Sequence, residues 1–110
     1  MQVTMLVFAK RGRTGVASLR RQIGADLERG RHAVLYVESH KTVDRSPGWM
    51  KVKAIGHHGV LNVEWDADCR MLIVRAVSKG REPHGLLGVF LEYLLKRHGR
   101  RVRNIAIQMD

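Results

Sequence analysis

The feature that most constrains the fold is an alternation of apolar and polar residues between positions 49 and 77. Residues 61–66 read Leu-Asn-Val-Glu-Trp-Asp, and residues 49–54 alternate in the same way as Trp-Met-Lys-Val-Lys-Ala. A period of two places every second side chain on one face of a β-strand. Residues 71–77 are almost continuously apolar, interrupted by Arg75, which is typical of an interior strand. The three segments together predict an antiparallel meander, with turns at 56–59 and 66–70.

Two other segments predict helices. Apolar residues recur every three or four positions at Val16, Leu19, Ile23 and Leu27. Thr14 is the expected N-cap of this helix and Gly30 its stop. A second helix is predicted from 84 to about 98, begun by Pro83 and ended by Gly99. Its apolar residues cover a wider arc than one sheet face can bury, so the first helix or a second copy of the chain must pack on it.

Shorter apolar segments predict strands at 3–9, 33–37 and 102–108, with loops at 10–15 and 40–47. A chain of 110 residues is long enough for one core. A helix that returns to a strand usually crosses over to the same sheet. We therefore expect a single α+β domain over residues 1–110, with two helices packed on one face of a mixed, mainly antiparallel sheet of five to six strands.

The charge of the chain points to a polyanionic partner. Twenty Lys and Arg residues against ten Asp and Glu residues give a formal net charge of +10. Residues 1–31 hold seven cations and two acids, and residues 96–103 hold five cations and no acid. Ten of these twelve cations are arginines, which favour bidentate phosphate contacts. The alternative is that these are solvated turns and helix ends, since Lys96 and Arg97 complement a helix dipole.

The favoured function is non-enzymatic, sequence-independent binding of nucleic acid, DNA or RNA, or of another polyanion. Phosphate contacts that release counterions drive such binding. The polar face of the predicted sheet adds Lys51, Lys53, Arg75 and Arg103, provided that these four line up. The predicted nucleic-acid-binding residues are Lys10, Arg11, Arg13, Arg20, Arg21, Lys51, Lys53, Arg75, Lys96, Arg97, Arg100, Arg101 and Arg103.

Recognition of the bases has no support in the sequence. Aromatic residues make up 5% of the chain. Five of them are at positions typical of a core, namely Phe8, Trp49, Trp65, Phe90 and Tyr93, which leaves Tyr36 as the doubtful case. A platform for single strands needs exposed rings. Helix-turn-helix, zinc-finger and basic-zipper patterns are also missing from the sequence.

The second hypothesis is a self-associating protein or interaction module, in which the net charge serves solubility. Its surface would be the apolar second helix between 86 and 95, and a homodimer is the simplest form. The predicted self-association residues are Leu86, Val89, Phe90, Tyr93 and Leu94. This hypothesis is compatible with nucleic-acid binding, because dimerisation doubles a basic surface.

A small phosphodiester-cleaving enzyme ranks third, with His57 or His84 as acid or base and arginines near the phosphate. No spacing requires this, so no catalytic residue is predicted. We expect no metal site and no cofactor, since the spacing of His57, His58 and Cys69 matches no established ligand pattern. The basic turn at 10–15 lacks both the GxxxxGK[ST] and the GxGxxG spacing.

The sequence also predicts a cytoplasmic location without a membrane partner. Cys69 is the single cysteine, which excludes an internal disulfide and fits a reducing compartment. The most apolar stretch, 86–95, is about half of the roughly 20 residues that a spanning helix needs. No segment resembles a targeting signal.

Overall fold

The alternation in the sequence becomes a six-stranded sheet in the structure, a computed structural model that describes residues 2–12, 17–38 and 49–109. The predicted N-cap Thr14, the predicted contact Arg13 and the predicted loop 40–47 lie outside the described residues. The elements, in chain order, are β1 (Gln2–Ala9), α1 (Leu19–Glu28), β2 (Leu35–Val37), β3 (Trp49–Ala54), β4 (Val60–Asp66), β5 (Met71–Val77), α2 (His84–His98), a 3₁₀ turn (Gly99–Arg101) and β6 (Val102–Met109).

The strand order is β2-β3-β4-β5-β1-β6, and all five pairings are antiparallel. The prediction of a single α+β domain with two helices is confirmed, but the prediction of a mixed sheet is wrong. The reason lies in the two helical connections. The connection through α1 leads from β1 to β2 at the far edge, and the one through α2 leads from β5 over β1 to β6. Strands joined by a helix do point the same way, but they are not neighbours.

Burial alternates along the strands, and the buried positions form a single hydrophobic core with both helices. On β1, for example, Val3, Met5, Val7 and Ala9 are buried, and β3, β4 and β5 show the same pattern. Leu19, Ile23 and Leu27 of α1 belong to the same core, as do five residues of α2. We call the sheet face that carries these buried residues the core face.

The opposite face of the sheet, here called the second face, carries the alternate residues of each strand. Most of them are partly exposed. They are Gln2, Thr4, Leu6 and Phe8 of β1, Tyr36 of β2, Trp49, Lys51 and Lys53 of β3, Val60, Asn62, Glu64 and Asp66 of β4, Met71, Ile73, Arg75 and Val77 of β5, and Asn104, Ala106 and Gln108 of β6.

The helix ends follow from local chemistry. Ser18 precedes α1, and its hydroxyl accepts a hydrogen bond from the Arg21 backbone N–H at 3.2 Å. This satisfies one of the free donors in the first turn. Gly30 follows α1 with a φ of 68°, a conformation that favours glycine. Among the described residues, neither helix is long and apolar enough to cross a membrane.

The turn between β3 and β4 depends on a glycine. Gly59 has a φ of 97°, and a Cβ at this position would lie 2.7 Å from the carbonyl oxygen of Val77. Gly80 also has a positive φ, 68°, but a Cβ there would meet no atom within 4 Å. The first position therefore combines backbone strain with a clash, whereas the second carries strain alone.

We predict that Gly59→Ala lowers the free energy of unfolding by about 2 kcal/mol or more, because both costs apply. Gly80→Ala, the control, is expected to lose only about 1 kcal/mol. Urea titration followed by circular dichroism measures both values. Equal losses for the two variants would contradict the close approach of Gly59 to β5.

Candidate nucleic-acid interface

Three separate chain segments meet at one end of the sheet. The Ala9 backbone N–H donates to the Arg70 carbonyl at 2.9 Å, and the Lys10 N–H donates to the Arg101 carbonyl at 2.7 Å. These bonds join the end of β1 to the turn before β5 and to the start of β6. The segments carry a set of cations that we call the basic end: Lys10, Arg11, Arg70, Arg100, Arg101 and Arg103.

The turn between β4 and β5 positions Arg70 at the basic end. The Asp66 carboxylate accepts a hydrogen bond from the Cys69 backbone N–H at 3.1 Å, which closes the turn. Arg70 then has a φ of 50°, the only positive φ among the described non-glycine residues. The turn also contributes two carboxylates, Asp66 and Asp68, so the part of the chain that the structure describes places two acids beside the six cations of the basic end.

A cleft of about 270 Å³ opens between these segments. Four cations line it, Lys10, Arg11, Arg70 and Arg103, together with Ala9 and Cys69. None of the four makes an ion pair with a carboxylate of the described residues. Their charges are therefore available to an anion that enters the cleft.

A second cleft, of about 500 Å³, extends the positive surface along the end of α2. It is lined by Gln22, Leu95, Lys96, Arg97, His98, Gly99, Arg100 and Arg101. The Arg101 guanidinium donates to the Ala17 carbonyl at 3.1 Å, a contact that fixes the side chain without neutralising it. Lys96 is paired with Glu92 at 2.8 Å, but this pair is exposed and contributes little.

A hydrogen-bonded cluster holds α2 against α1 beside this cleft. The Tyr93 hydroxyl donates to Asp26 Oδ2 at 3.0 Å, and His98 Nε2 lies 3.0 Å from both groups. Arg97 Nε donates to the same carboxylate oxygen at 3.1 Å. Asp26 therefore neutralises Arg97 while it joins the two helices, so Arg97 is less available to an external phosphate than Arg100.

Burial and charge shift the pKa values in this cluster. Burial lowers the pKa of His98, because the charged ring loses hydration, and this outweighs the attraction of Asp26. Burial alone would raise the pKa of Asp26, but hydrogen bonds from Arg97 and Tyr93 and the positive charge of Arg97 lower it overall. Burial and the bond to Asp26 raise the pKa of Tyr93. The lowered pKa of His98 favours its neutral ring, so Arg97 is the cation that balances the Asp26 carboxylate.

Some of the predicted nucleic-acid contacts lie elsewhere. Arg20 is only 8% exposed, and burial lowers its pKa, so it is not available on the surface. Arg21 is exposed on α1 and lines neither cleft. The helix buries Arg20 because it shares a face with Ile23, Gly24 and Leu27.

The predicted basic sheet face is electrically balanced. Lys51, Lys53 and Arg75 do share the second face, but Lys53 pairs with Glu38 at 3.1 Å and Arg75 pairs with Glu64 at 2.8 Å. The ammonium of Lys51 lies 5.9 Å from the centre of the Trp49 ring. Arg103, the fourth candidate for this face, lines the cleft at the basic end instead. Among the described residues, the second face therefore has two of its three cations paired with carboxylates, whereas the basic end has none of its six paired in this way.

Sequence reasoning missed three contributors to this part of the surface. Arg70 lies in the predicted turn at 66–70, and this turn is hydrogen-bonded to the end of β1, which the basic loop follows. Phe8 and Trp49, expected in the core, lie on the second face. The signal was in the alternation, because Phe8 lies between the buried residues Val7 and Ala9, and Trp49 precedes the buried Met50.

The predicted self-association residues are mostly inside the protein. Leu86, Phe90, Tyr93 and Leu94 are buried in the core, and only Val89 is partly exposed. The sheet and α1 together cover the wide apolar arc of α2, so these four side chains form no surface. Larger apolar exposure occurs at Leu95 and on β6, where Ile107 is 49% and Met109 is 64% exposed.

The two histidines named as candidate acid or base, His57 and His84, do not converge with the arginines of the basic end. His57 contacts Gly85 at the start of α2, and His84 Nδ1 lies 3.1 Å from Glu82. Both are at the end of the sheet opposite to the basic end, roughly 20 Å away along strands of six to eight residues. Within residues 2–12, 17–38 and 49–109, no group of three or more His, Cys, Asp or Glu could hold a metal ion.

Comparisons of the chain with protein-family models, with curated proteins and with solved structures found no match.

We predict that acid weakens the helix contact in two steps. The pKa of His98 in the folded protein is below its ordinary value of 6.5, so the unfolded chain takes up the proton first and stability falls as the pH drops below about 6.5. The lowered pKa of Asp26 adds a second loss below its ordinary value of 3.8.

Thermal unfolding of wild type and His98→Gln between pH 7 and pH 5 measures the first step. The glutamine amide keeps a hydrogen-bonding group but does not titrate, so its melting temperature should change less over this interval. His58→Gln, which replaces an exposed histidine, serves as the control. An unchanged pH dependence in His98→Gln would show that His98 is not the titrating group.

Proposed function

We propose that the protein binds nucleic acid without sequence preference, through phosphate contacts at the basic end. The observation that carries this proposal is the convergence of six cations from three chain segments, none of them paired with a carboxylate of the described residues. Bringing like charges together opposes folding. A bound polyanion relieves this repulsion and releases its own counterions.

The residue types and their placement fit phosphate. Five of the six cations are arginines, whose guanidinium groups can hold two phosphate oxygens at once. Arg70, Lys10 and Arg103 follow or begin neighbouring strands, so they lie within the width of three strands, roughly 10 Å. The cleft at the end of α2 continues this surface with Arg100 and Arg101.

The proposal is for a binding protein and not an enzyme. A phosphodiester-cleaving activity has less support, because His57 and His84 lie at the far end of the sheet from the arginines that would stabilise the reacting phosphate. A cytoplasmic location is part of the proposal. The single exposed cysteine supports it, because Cys69 has no partner in the chain for a disulfide.

Self-association is the second candidate function, with a surface different from the sequence prediction. An apolar groove of about 280 Å³ lies between α2 and the edge strand β6. Its lining residues are Val3, His84, Leu87, Gly88, Leu91, Ile107 and Met109. An edge strand with exposed apolar residues is open to pairing with another strand.

We predict that the triple variant Arg11→Gln, Arg70→Gln, Arg103→Gln reduces the salt dependence of binding. For a labelled duplex DNA, the slope of log K against log salt should become shallower by about 0.9 for each phosphate that the variant no longer neutralises. Fluorescence anisotropy at several salt concentrations measures this slope.

The matched control is Arg29→Gln, Lys79→Gln, Arg81→Gln, which removes the same charge from exposed residues outside both clefts. It should weaken binding slightly and leave most of the slope intact. Equal effects of the two triple variants would indicate attraction to the net charge alone and would contradict a site at the basic end.

For the second candidate, we predict that Ile107→Lys abolishes any dimer by placing a charge in the apolar groove. Sedimentation velocity at increasing protein concentration and high salt would detect the change. Ile55→Lys is the control, since Ile55 is 68% exposed and lies outside the groove. A wild-type protein that remains monomeric throughout would rule out this candidate.

A further inference from the structure

We propose that the second face of the sheet is a base-stacking surface, and that the nucleic acid held at the basic end is single-stranded. This inference rests on the function proposed above and specifies its ligand. It starts from the aromatic residues. Of the six in the chain, Phe8, Tyr36 and Trp49 lie on the second face, and Tyr36 is 41% exposed.

The register of the strands places the apolar part of this face next to the basic end. Trp49, Glu64, Ile73, Leu6 and Ala106 form one row across five strands. Asp66, Met71, Phe8 and Asn104 form the next row toward the basic end. These two rows therefore form a partly exposed surface with an aromatic ring on β3 and another on β1.

The cations of the basic end are close neighbours, along the chain, of residues on this surface. Lys10 follows Phe8 by two residues, Arg70 immediately precedes Met71, and Arg103 immediately precedes Asn104. Phosphates bound at the basic end would thus lie at the border of the apolar rows. A nucleic-acid strand that continues from this border onto the sheet meets Phe8 first and Trp49 further across.

The charge balance of the second face decides which part of the nucleic acid it can bind. The ion pairs Lys53–Glu38 and Arg75–Glu64 neutralise two of its three cations, and Asp66 adds a further acid. A surface without net positive charge does not attract phosphates. Its rings and apolar side chains instead offer contact to the flat faces of bases, which stack on aromatic residues in a sequence-tolerant way.

A row of polar residues on the second face favours a base, and not a second copy of the protein, as the group that binds there. Lys51, Asn62, Arg75, Thr4 and Gln108 cross the sheet in register. Packing of two such faces against each other would bury these charges and amides, at a cost that paired apolar side chains would have to overcome. The edges of unpaired bases carry donors and acceptors that can satisfy amides, hydroxyls and guanidinium groups.

The requirement for unpaired bases defines the class of ligand. In a duplex the flat faces of the bases are covered by their neighbours, so a flat sheet surface cannot stack on them. In a single strand the bases can be splayed out onto aromatic rings. The two parts of the surface then have separate roles: the basic end holds the backbone, and the second face holds the bases.

Tryptophan fluorescence tests the stacking directly, because the chain has two tryptophans on opposite faces of the sheet. In Trp65→Phe the emission comes from Trp49 alone, and in Trp49→Phe it comes from Trp65 alone. We expect a single-stranded oligonucleotide of mixed sequence to quench Trp49 and to leave Trp65 nearly unchanged. A duplex of the same length should leave both unchanged.

Fluorescence anisotropy supplies the matching affinities. Trp49→Ala and Phe8→Ala should each weaken single-strand binding about fivefold or more, the low end for loss of one stacked base. Ile55→Ala, which shortens an exposed apolar side chain at the opposite end of the sheet, is the control and should change nothing. Circular dichroism melting identifies any variant that fails to fold. The fluorescence of the conservative Trp65→Phe variant still decides the question in that case.

The outcomes separate this inference from the function on which it rests. Tighter binding of the single strand together with quenching of Trp49 supports both. A different result would be salt-dependent binding in which the duplex binds as tightly as the single strand or more tightly, while Trp49 emission is unchanged. This result overturns the stacking surface but leaves the basic end as a phosphate site. Absence of binding to either nucleic acid at low salt overturns the proposed function and this inference with it.

Discussion

The structure depends on the position of β1 between β5 and β6. This strand pairs over most of its length with both neighbours, and its last hydrogen bonds join Ala9 to Arg70 and Lys10 to Arg101. The same pairing buries Val3, Met5 and Val7 in the core and brings the chain's cations together at the strand's end. Formation of the sheet and assembly of the basic end are therefore one event, and a change in the register of β1 would disturb both.

The elements of the fold were predictable because they follow from local patterns. The alternation over 49–77 predicted β3, β4 and β5, and the three- to four-residue spacing predicted both helices. Strand order was not predictable in the same way, because the apolar pattern of β1 fits next to any strand with a buried face. Its neighbours are set by the two long crossovers, which keep strands joined by a helix apart and make every pairing antiparallel.

The sequence predicted that the site is positively charged, but it predicted only some of the residues that form it. A count of charges located Lys10, Arg11, Arg100, Arg101 and Arg103, which lie in two segments that the sheet joins. Arg70 comes from a third segment, so no local pattern could indicate it. Arg20 was wrongly predicted to be a surface contact. Its long side chain lies along α1 beside Gly24, which has no side chain: a Cβ at Gly24 would lie 3.7 Å from Arg20 Nη1. The predicted self-association residues of α2 show the same kind of error, since Leu86, Phe90, Tyr93 and Leu94 are buried in the core that α2 shares with α1 and the sheet.

Different parts of this small domain have different chemistry. Cations lie at one end of the sheet, a face with balanced charges and aromatic rings lies beside them, and an apolar groove lies at the edge strand. The most direct test is a two-dimensional amide NMR titration with a short single-stranded oligonucleotide. The account predicts chemical-shift changes at residues 10–12, 69–71 and 100–104, spreading to the strand positions of the second face near Phe8 and Trp49. Changes confined to α2 and the outer half of β6, or no changes at low salt, would contradict it.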